Sequence, residues 1–288
     1  MPGTVVVTDS TASLPEDLVT ALGITVVPLQ VVVGATPYEE GAEGATPDTV
    51  AEALREFVPV STSRPAPAAM LEVYERLAAD GATEIVSVHL SSEMSGTYES
   101  AQLAAQQAPV PVVAVDSRQV GIATGFAVVT AAEVVAEGGD AGAAAEAARR
   151  RASETTSLFY VDTLEHLRRG GRVGAAAALL GGALAVKPLL AIEDGRVVNR
   201  EKVRTAARAL ARLEELAVAA AGERPVDVGV AHLASEERGA ALASRLAERL
   251  ADNLEGRDVH CGEVGAVLGA HVGPGMLAVC VAPRLTVP

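Results

Sequence analysis

The sequence predicts an α/β protein of two domains, with an N-terminal domain over residues 1–157 and a C-terminal domain over residues 158–288. In the first half, short β-branched runs alternate with helical patterns, which is typical of βαβ units and of a mainly parallel sheet flanked by helices. In the second half, Asp194-Gly195 separates two apolar runs and predicts a type I′ hairpin. We therefore expect a mixed or antiparallel sheet in an α/β C-terminal domain.

The elements of the first domain follow from local residue patterns. Ser13, with Pro15 close behind it, predicts the cap and the first turn of a helix. Pro28 interrupts a β-branched run and indicates an edge strand or a bulge. The strands expected are residues 4–8, 24–33, 84–90 and 112–115. The helices expected start near residues 15, 46 and 97 and span residues 67–79, 121–135 and 141–152.

The second domain begins after the alanine- and arginine-rich helix that ends near residue 152. Its expected strands are residues 158–161, 188–192, 196–200, 226–232, 258–264 and 277–281. Its expected long helices are residues 203–221 and 235–252. Polar loops follow three strands of the first domain, at Asp9, Ser91 and Asp116. Because ligands of parallel sheets bind at the carboxyl ends of strands, these loops are candidate site segments.

Composition excludes several function classes. Hydrophobic residues make up 49% of the chain and charged residues 21%, which is typical of a globular protein. The formal net charge of -14, without a basic tail, disfavours nucleic acid and anionic membrane surfaces as partners. Cys261 and Cys280 lie in no Cys/His cluster, so neither a zinc site nor a disulfide framework is expected.

The N-terminal residues lack the positively charged start and the long apolar core of a signal peptide. No run of apolar residues reaches the roughly 20 that a membrane span needs. We therefore expect a cytoplasmic protein without an integral membrane segment.

The common catalytic and cofactor signatures are missing from the sequence. No Gly-x-Gly-x-x-Gly follows the first strand, and no phosphate-binding Gly-Lys-Ser/Thr loop occurs. The neighbours of Ser95 do not form a Gly-x-Ser-x-Gly elbow, and no His-Glu-x-x-His pattern is present. These observations favour a protein that is not an enzyme and has no cofactor.

Hydroxyl-rich loops are the main candidates for a binding site. Residues 91–97, with Ser95 and Gly96, stand between a predicted strand and a predicted helix. Hydroxyls there either cap the helix or, with the unpaired N–H groups of its first turn, bind an anion such as a carboxylate. Residues 62–65, with Thr62 and Ser63, form a second polar loop before a helix and allow the same two interpretations.

Charged and aromatic side chains add two further candidates. His271, between glycines and a proline, either donates a hydrogen bond to an anion or holds its own loop. Arg168, Arg169 and Arg172 lie in a glycine-rich stretch and fit an anion site, a partner surface or a solvated loop. We interpret His89, which lies in a predicted strand, as structural.

Six or more of these segments, in order, resemble the DegV family of fatty acid-binding proteins. The opening Val7-Thr8-Asp9-Ser10-Thr11 is similar to the family's start, and residues 89–98 resemble its Leu-Ser-Ser-x-x-Ser-Gly-Thr-Tyr motif. Residues 162–195 are the most specific match, and His271-Val272-Gly273-Pro274-Gly275 closes it. Glu93 and Arg64 depart from the pattern, and we expect Glu93 to point to solvent or to a partner.

The resemblance implies a two-domain fold with a long-chain, palmitate-like fatty acid at the junction and its acyl chain in an apolar tunnel, largely in the second domain. It assigns the carboxylate to Thr62 and Ser95, with the Gly96 N–H and His271 nearby. We expect Ser63, Ser92, Thr97 and Arg172 to support these residues.

The resemblance further implies that a separate fatty acid kinase subunit phosphorylates the bound acid to an acyl phosphate. Two alternatives stay open. One is a small-molecule hydrolase in which His271 activates Ser95 as a nucleophile. The other is a regulatory interaction protein whose lipid is a structural filler.

Overall fold

The structure is a computed structural model that describes residues 3–179 and 187–285. Its strands are β1 (Thr4–Asp9), β2 (Thr25–Val27), β3 (Gln30–Val33), β4 (Thr36–Glu39), β5 (Val60–Ser63), β6 (Glu84–His89), β7 (Val112–Asp116), β8 (Thr156–Tyr160), β9 (Lys187–Glu193), β10 (Arg196–Val203), β11 (Val226–His232), β12 (His260–Glu263) and β13 (Leu277–Pro283). Its α-helices are α1 (Glu16–Ala21), α2 (Pro47–Arg55), α3 (Pro67–Ala79), α4 (Thr97–Ala105), α5 (Ile122–Ala136), α6 (Ala141–Glu154), α7 (Glu165–Arg169), α8 (Ala206–Ala221), α9 (Glu236–Arg249), α10 (Ala251–Leu254) and α11 (Ala266–Val272). Short 3₁₀ helices occupy Ser10–Ala12, Glu43–Ala45 and Gly174–Leu179.

The chain divides into two compact units that are not contiguous in sequence. The first unit comprises Met1–Gln30 and Thr62–Ser153, and the second comprises Val31–Ser61 and Glu154–Pro288. The sequence pattern predicts a single domain boundary near residue 157, which places residues 31–61 in the N-terminal domain. Local signals predict the β-branched run that enters this segment and the helix that starts near residue 46, but they do not tell which core these elements join.

The first unit is built on a parallel sheet with the strand order β2-β1-β6-β7. Val6 and Val86 pack against the alanine-rich helices α5 and α6 on one face. Val7 and Ile85 pack with Met70 of α3 on the other face. Because helices cover both faces, successive residues of the central strands are buried instead of alternating between buried and exposed. The mainly parallel sheet expected for this part of the chain is confirmed.

The second unit contains a six-stranded sheet with the order β10-β9-β8-β13-β11-β12. All neighbours in it are antiparallel except β11 and β12, so the expected mixed sheet is confirmed. Asp194 and Gly195 turn between β9 and β10 with φ of 51° and 80°, the positive values that a type I′ turn requires. Leu213 of α8 and Leu246 of α9 pack with the apolar residues of this sheet in one hydrophobic core.

Strands β4, β3 and β5, in that spatial order, form a small three-stranded sheet, and helix α2 lies between β4 and β5 in the sequence. Thr46 caps α2, because its side chain accepts a hydrogen bond from the Thr49 amide at 3.2 Å. The helix packs against α11 of the same unit. This contact, between segments more than two hundred residues apart, explains why α2 belongs to the second unit.

Some elements differ from the sequence prediction. Strands β4 and β5 were not expected, because they are four residues long and largely exposed. Helix α11 was not expected either, because it has seven residues and ends at the glycine-rich segment that indicated a loop. Ser13 does not cap a helix: it has a left-handed φ of 53°, and α1 starts after Pro15.

Candidate functional site

The polar segments that follow β1, β6 and β7 lie at one edge of the parallel sheet. The amide of Ser91 donates to the carbonyl of Gln119 at 2.8 Å. The hydroxyl of Ser92 donates to a carboxylate oxygen of Asp116 at 2.5 Å. The loops after β6 and β7 are therefore joined by hydrogen bonds, and their role as binding-site segments stays a prediction. The Ser92 hydroxyl donates its proton to Asp116, and its supporting role at a carboxylate ligand stays a prediction.

Ser95 is held at the end of a tight turn before α4. Its amide donates to the carbonyl of Ser91 at 3.1 Å. Its hydroxyl lies 2.9 Å from the Thr97 hydroxyl and accepts from the Thr97 amide at 3.3 Å. Thr97 is buried and Ser95 is partly exposed. The Ser95 hydroxyl thus accepts from the first amide of α4, whose N-cap is Gly96, and the role of Ser95 in binding stays a prediction.

Arg64 connects the segment after β5 with this turn. Its Nη1 donates to the Gly96 carbonyl and to Glu99 Oε2, both at 2.9 Å. Both charged side chains are about half exposed, so the ion pair itself adds little stability. The contact matters for geometry, because it holds Arg64, two residues after Thr62, next to Gly96.

Thr62 and Ser63 do not lie in a loop, as the sequence analysis expected, but are the last residues of β5. Thr62 is partly buried, whereas Ser63 is exposed, as alternate residues of a strand are. Glu93 is exposed too, which agrees with the expectation that it points to solvent or a partner. Thr62 and Ser95 therefore differ from Ser63 and Glu93 in their degree of burial.

His271 and Arg172 belong to the second unit and lie close to one another there. His271 is in the last turn of α11 and not in a loop, which corrects the sequence prediction. Its Nδ1 packs directly on Gly170, whose carbonyl accepts from Arg172 Nη1 at 2.5 Å. Burial, reinforced by the charge of Arg172, lowers the pKa of His271 to about 4. The imidazole is therefore neutral at neutral pH.

A buried polar chain beneath the loop after β6 was not recognised from the sequence. Asp9, Ser87 and His89 are fully buried and hydrogen-bonded in series, and Tyr74 of α3 completes the chain. Ser87 and His89 are two residues apart in β6, so their side chains share a face of the sheet. The strand pattern alone gave no partner for His89.

The described part of the chain contains no group of three or more His, Cys, Asp or Glu residues that could hold a metal ion. None of the helices in the described ranges is both long and apolar enough to cross a bilayer.

A family model for uncharacterised proteins of the DegV family matches residues 4–284. The chain belongs to the DegV family. A DegV domain-containing protein of Streptomyces coelicolor is 53% identical over 280 residues, covering 97% of this chain and 98% of that protein.

Two solved structures of DegV proteins resemble the fold over nearly the whole chain. A DegV family protein of Thermus thermophilus, described as fatty acid binding, is 34% identical with a TM-score of 0.88 and covers 98% of this chain and 99% of its own. DegV of Bacillus subtilis, described as a fatty acid binding protein, is 31% identical with a TM-score of 0.89 and covers 99% of this chain and 100% of its own.

Proposed function

We propose that this chain binds a long-chain fatty acid and catalyses no reaction by itself. The observation that carries the proposal is its end-to-end similarity, at 31–34% identity, to two DegV structures that are described as fatty acid binding. The absence of recognisable catalytic signatures in the sequence agrees with a binding role.

The carboxylate end is assigned to Thr62, Ser95 and the Gly96 N–H. The partly exposed Ser95 hydroxyl stands at the start of α4, where the positive end of the helix dipole favours an anion. Uncharged donors satisfy a carboxylate without forming a tight ion pair, which leaves an oxygen accessible to a phosphoryl donor. The parts of His271 and Arg172, in the second unit, stay predictions of the family resemblance.

The acyl chain supplies most of the binding free energy in this proposal. A palmitate-like chain has about fourteen methylene groups, and burying them contributes on the order of 11 kcal/mol before entropic costs. Each hydrogen bond to the carboxylate adds about 1.5–3 kcal/mol and sets the orientation. Affinity therefore depends on the tail, and the direction of entry depends on the hydroxyls.

The proposed partner is a fatty acid kinase that converts the bound acid to an acyl phosphate. Such a kinase uses a nucleoside triphosphate, so the proposal places the chain in the cytoplasm. Glu93 is exposed and lies two residues before Ser95, so the proposal assigns it to the surface that the kinase contacts.

The hydrolase alternative is disfavoured by the chemistry of its base. A general base works best with a pKa near the operating pH, and the pKa of His271 is lowered to about 4. The Ser95 hydroxyl is hydrogen-bonded to Thr97. A serine-reactive phosphonate that labelled Ser95 would reinstate this alternative.

Lipid analysis tests the binding function. Mass spectrometry of an organic extract of the purified protein is expected to yield about one long-chain fatty acid per chain. Ser95→Ala and Thr62→Ala are each expected to weaken binding about tenfold or more, because each removes a donor to a charged group. Thr130→Ala serves as the control, since the Thr130 hydroxyl bonds to the carbonyl of Phe126 within α5. Wild-type affinity in both site variants would refute the assignment.

The kinase step needs a separate assay. With a DegV-directed fatty acid kinase and a nucleoside triphosphate, the loaded protein is expected to yield an acyl phosphate, and the Ser95→Ala variant to yield less. If delipidated and loaded protein bind that kinase equally well and no acyl phosphate forms, the regulatory alternative replaces the proposal.

A further inference from the structure

The carboxyl group of Asp9 is fully buried and has hydrogen-bond partners on both oxygens. Its Oδ1 accepts from the Thr11 amide at 3.1 Å and from the Thr11 hydroxyl at 2.5 Å. Its Oδ2 accepts from the Leu90 amide at 3.1 Å and lies 2.9 Å from His89 Nδ1. Burying a polar group is costly unless hydrogen bonds satisfy it, and here Thr11, His89 and Leu90 provide four such contacts.

The remaining bonds give His89 one consistent role. Tyr74 donates its hydroxyl to Ser87 Oγ at 2.8 Å, and Ser87 Oγ lies 2.7 Å from His89 Nε2. If Ser87 donates to Nε2, then Nδ1 carries the imidazole proton and donates it to Asp9, and every polar atom of the chain is satisfied. We assign this tautomer. It directs each donor of the chain toward Asp9.

Asp9 is linked to residues 91–97, the loop that contains Ser95, by hydrogen bonds that backbone amides donate. Leu90, which donates to Asp9, directly precedes Ser91, and the Ser91 carbonyl accepts the amide of Ser95. Leu90, at the start of the loop, is thus hydrogen-bonded to the last residue of β1, and Ser95 is hydrogen-bonded to Ser91. A shift of Leu90 would move the turn that presents the Ser95 hydroxyl.

We propose that Asp9, oriented by His89, is a positioning residue for the carboxylate-binding turn of the fatty acid site. The inference rests on the proposed function, because it assigns a purpose to the geometry of Ser95. A positioning role differs from a purely stabilising role in one respect. Removing the Asp9 carboxylate weakens ligand binding only where the Ser95 hydroxyl is present to be misplaced.

Asp9→Asn is the informative substitution. Each carboxylate oxygen of Asp9 faces a backbone N–H, from Thr11 on one side and from Leu90 on the other. Whichever way the new amide turns, its NH₂ group faces one of these donors and breaks that bond. The side-chain volume hardly changes, so the variant tests the bonds and not the packing.

The experiment is a double-mutant cycle with palmitate as the probe. Delipidated wild type, Asp9→Asn, Ser95→Ala and the double variant are titrated, and Tyr74→Phe is the control. Asp9→Asn is expected to weaken binding about tenfold, and the same change in the Ser95→Ala background to cause less than about a twofold loss. Tyr74→Phe removes the buried hydrogen bond to Ser87 but no hydrogen bond to Asp9. The palmitate affinity of this variant is therefore expected to stay within about twofold of wild type.

Hydrogen exchange of the ligand-free proteins provides the independent measurement. Amides of residues 90–97 are expected to exchange about tenfold faster in Asp9→Asn than in wild type and in Tyr74→Phe. Additive losses in the cycle, unchanged affinity of folded Asp9→Asn, or unchanged exchange would overturn the proposal. If Asp9→Asn does not fold, His89→Gln is judged by the same criteria. If wild type takes up no palmitate, the proposed function is wrong, while the exchange data still decide whether Asp9 holds the loop.

Discussion

Acid is expected to destabilise the second unit through His271. Burial and the neighbouring Arg172 lower the pKa of this imidazole from 6.5 to about 4 in the folded protein. The unfolded chain therefore takes up a proton at a higher pH than the folded chain does. Stability contributed by the neutral imidazole is present above the unfolded pKa and is lost as the pH falls toward the folded pKa.

The magnitude follows from the difference between the two pKa values. Between about pH 7 and about pH 5, linkage predicts a loss of about 2 kcal/mol from His271 alone, and about 3 kcal/mol once the pH is below both pKa values. This is a large share of the 5–15 kcal/mol or so by which typical domains are stable.

Urea unfolding at the two pH values measures the effect. Far-UV circular dichroism is the suitable signal, because the chain has no tryptophan. Wild type is expected to lose about 2 kcal/mol more than His271→Asn when the pH is lowered. Since other groups titrate in both proteins, the comparison isolates His271. An Arg172→Leu variant is expected to show a smaller loss than wild type, because the cation that helps to lower the pKa is gone. The same pH dependence in wild type and His271→Asn would refute the reasoning.

Three further predictions concern stability. Gly273→Ala is expected to lower the free energy of unfolding by about 1–3 kcal/mol more than Gly256→Ala does. Both glycines have a positive φ (74° and 80°), but only a Cβ at position 273 would collide with a neighbour, the ring of His166. Equal losses of stability in thermal unfolding would show that backbone strain alone matters. Glu214→Gln is expected to cost about 1–2 kcal/mol at neutral pH, because this largely buried carboxylate bonds Arg245 at 2.6 Å. Burial alone would raise the pKa of Glu214, but its arginine partners lower it overall, so the advantage of wild type over this variant should vanish as acid protonates the carboxylate. Thr46→Ala is expected to cost about 1 kcal/mol by removing the cap of α2, and Thr46→Ser to restore most of it; a silent Thr46→Ala in chemical denaturation would contradict the capping role.

The sequence determined the local elements and the class of the fold. The apolar runs of β1, β6 and β7, the proline that begins α3, and Asp194-Gly195 between β9 and β10 each encode an element through nearest neighbours. The order of polar motifs also placed Ser95 before a helix and Glu93 on the surface. These features depend on a few adjacent residues, so they could be predicted without knowing the packing.

Only the tertiary structure decided which core each element joins and which side chains meet. Residues 31–61 belong to the second unit because α2 packs against α11, far away in sequence. Asp9 and His89, eighty residues apart, meet because β1 and β6 are neighbours in the sheet. Strand pairing and helix packing bring such residues together through contacts that no local pattern specifies. For this reason the sequence could show His89 to be a strand residue, but not its bond to the buried side chain of Asp9.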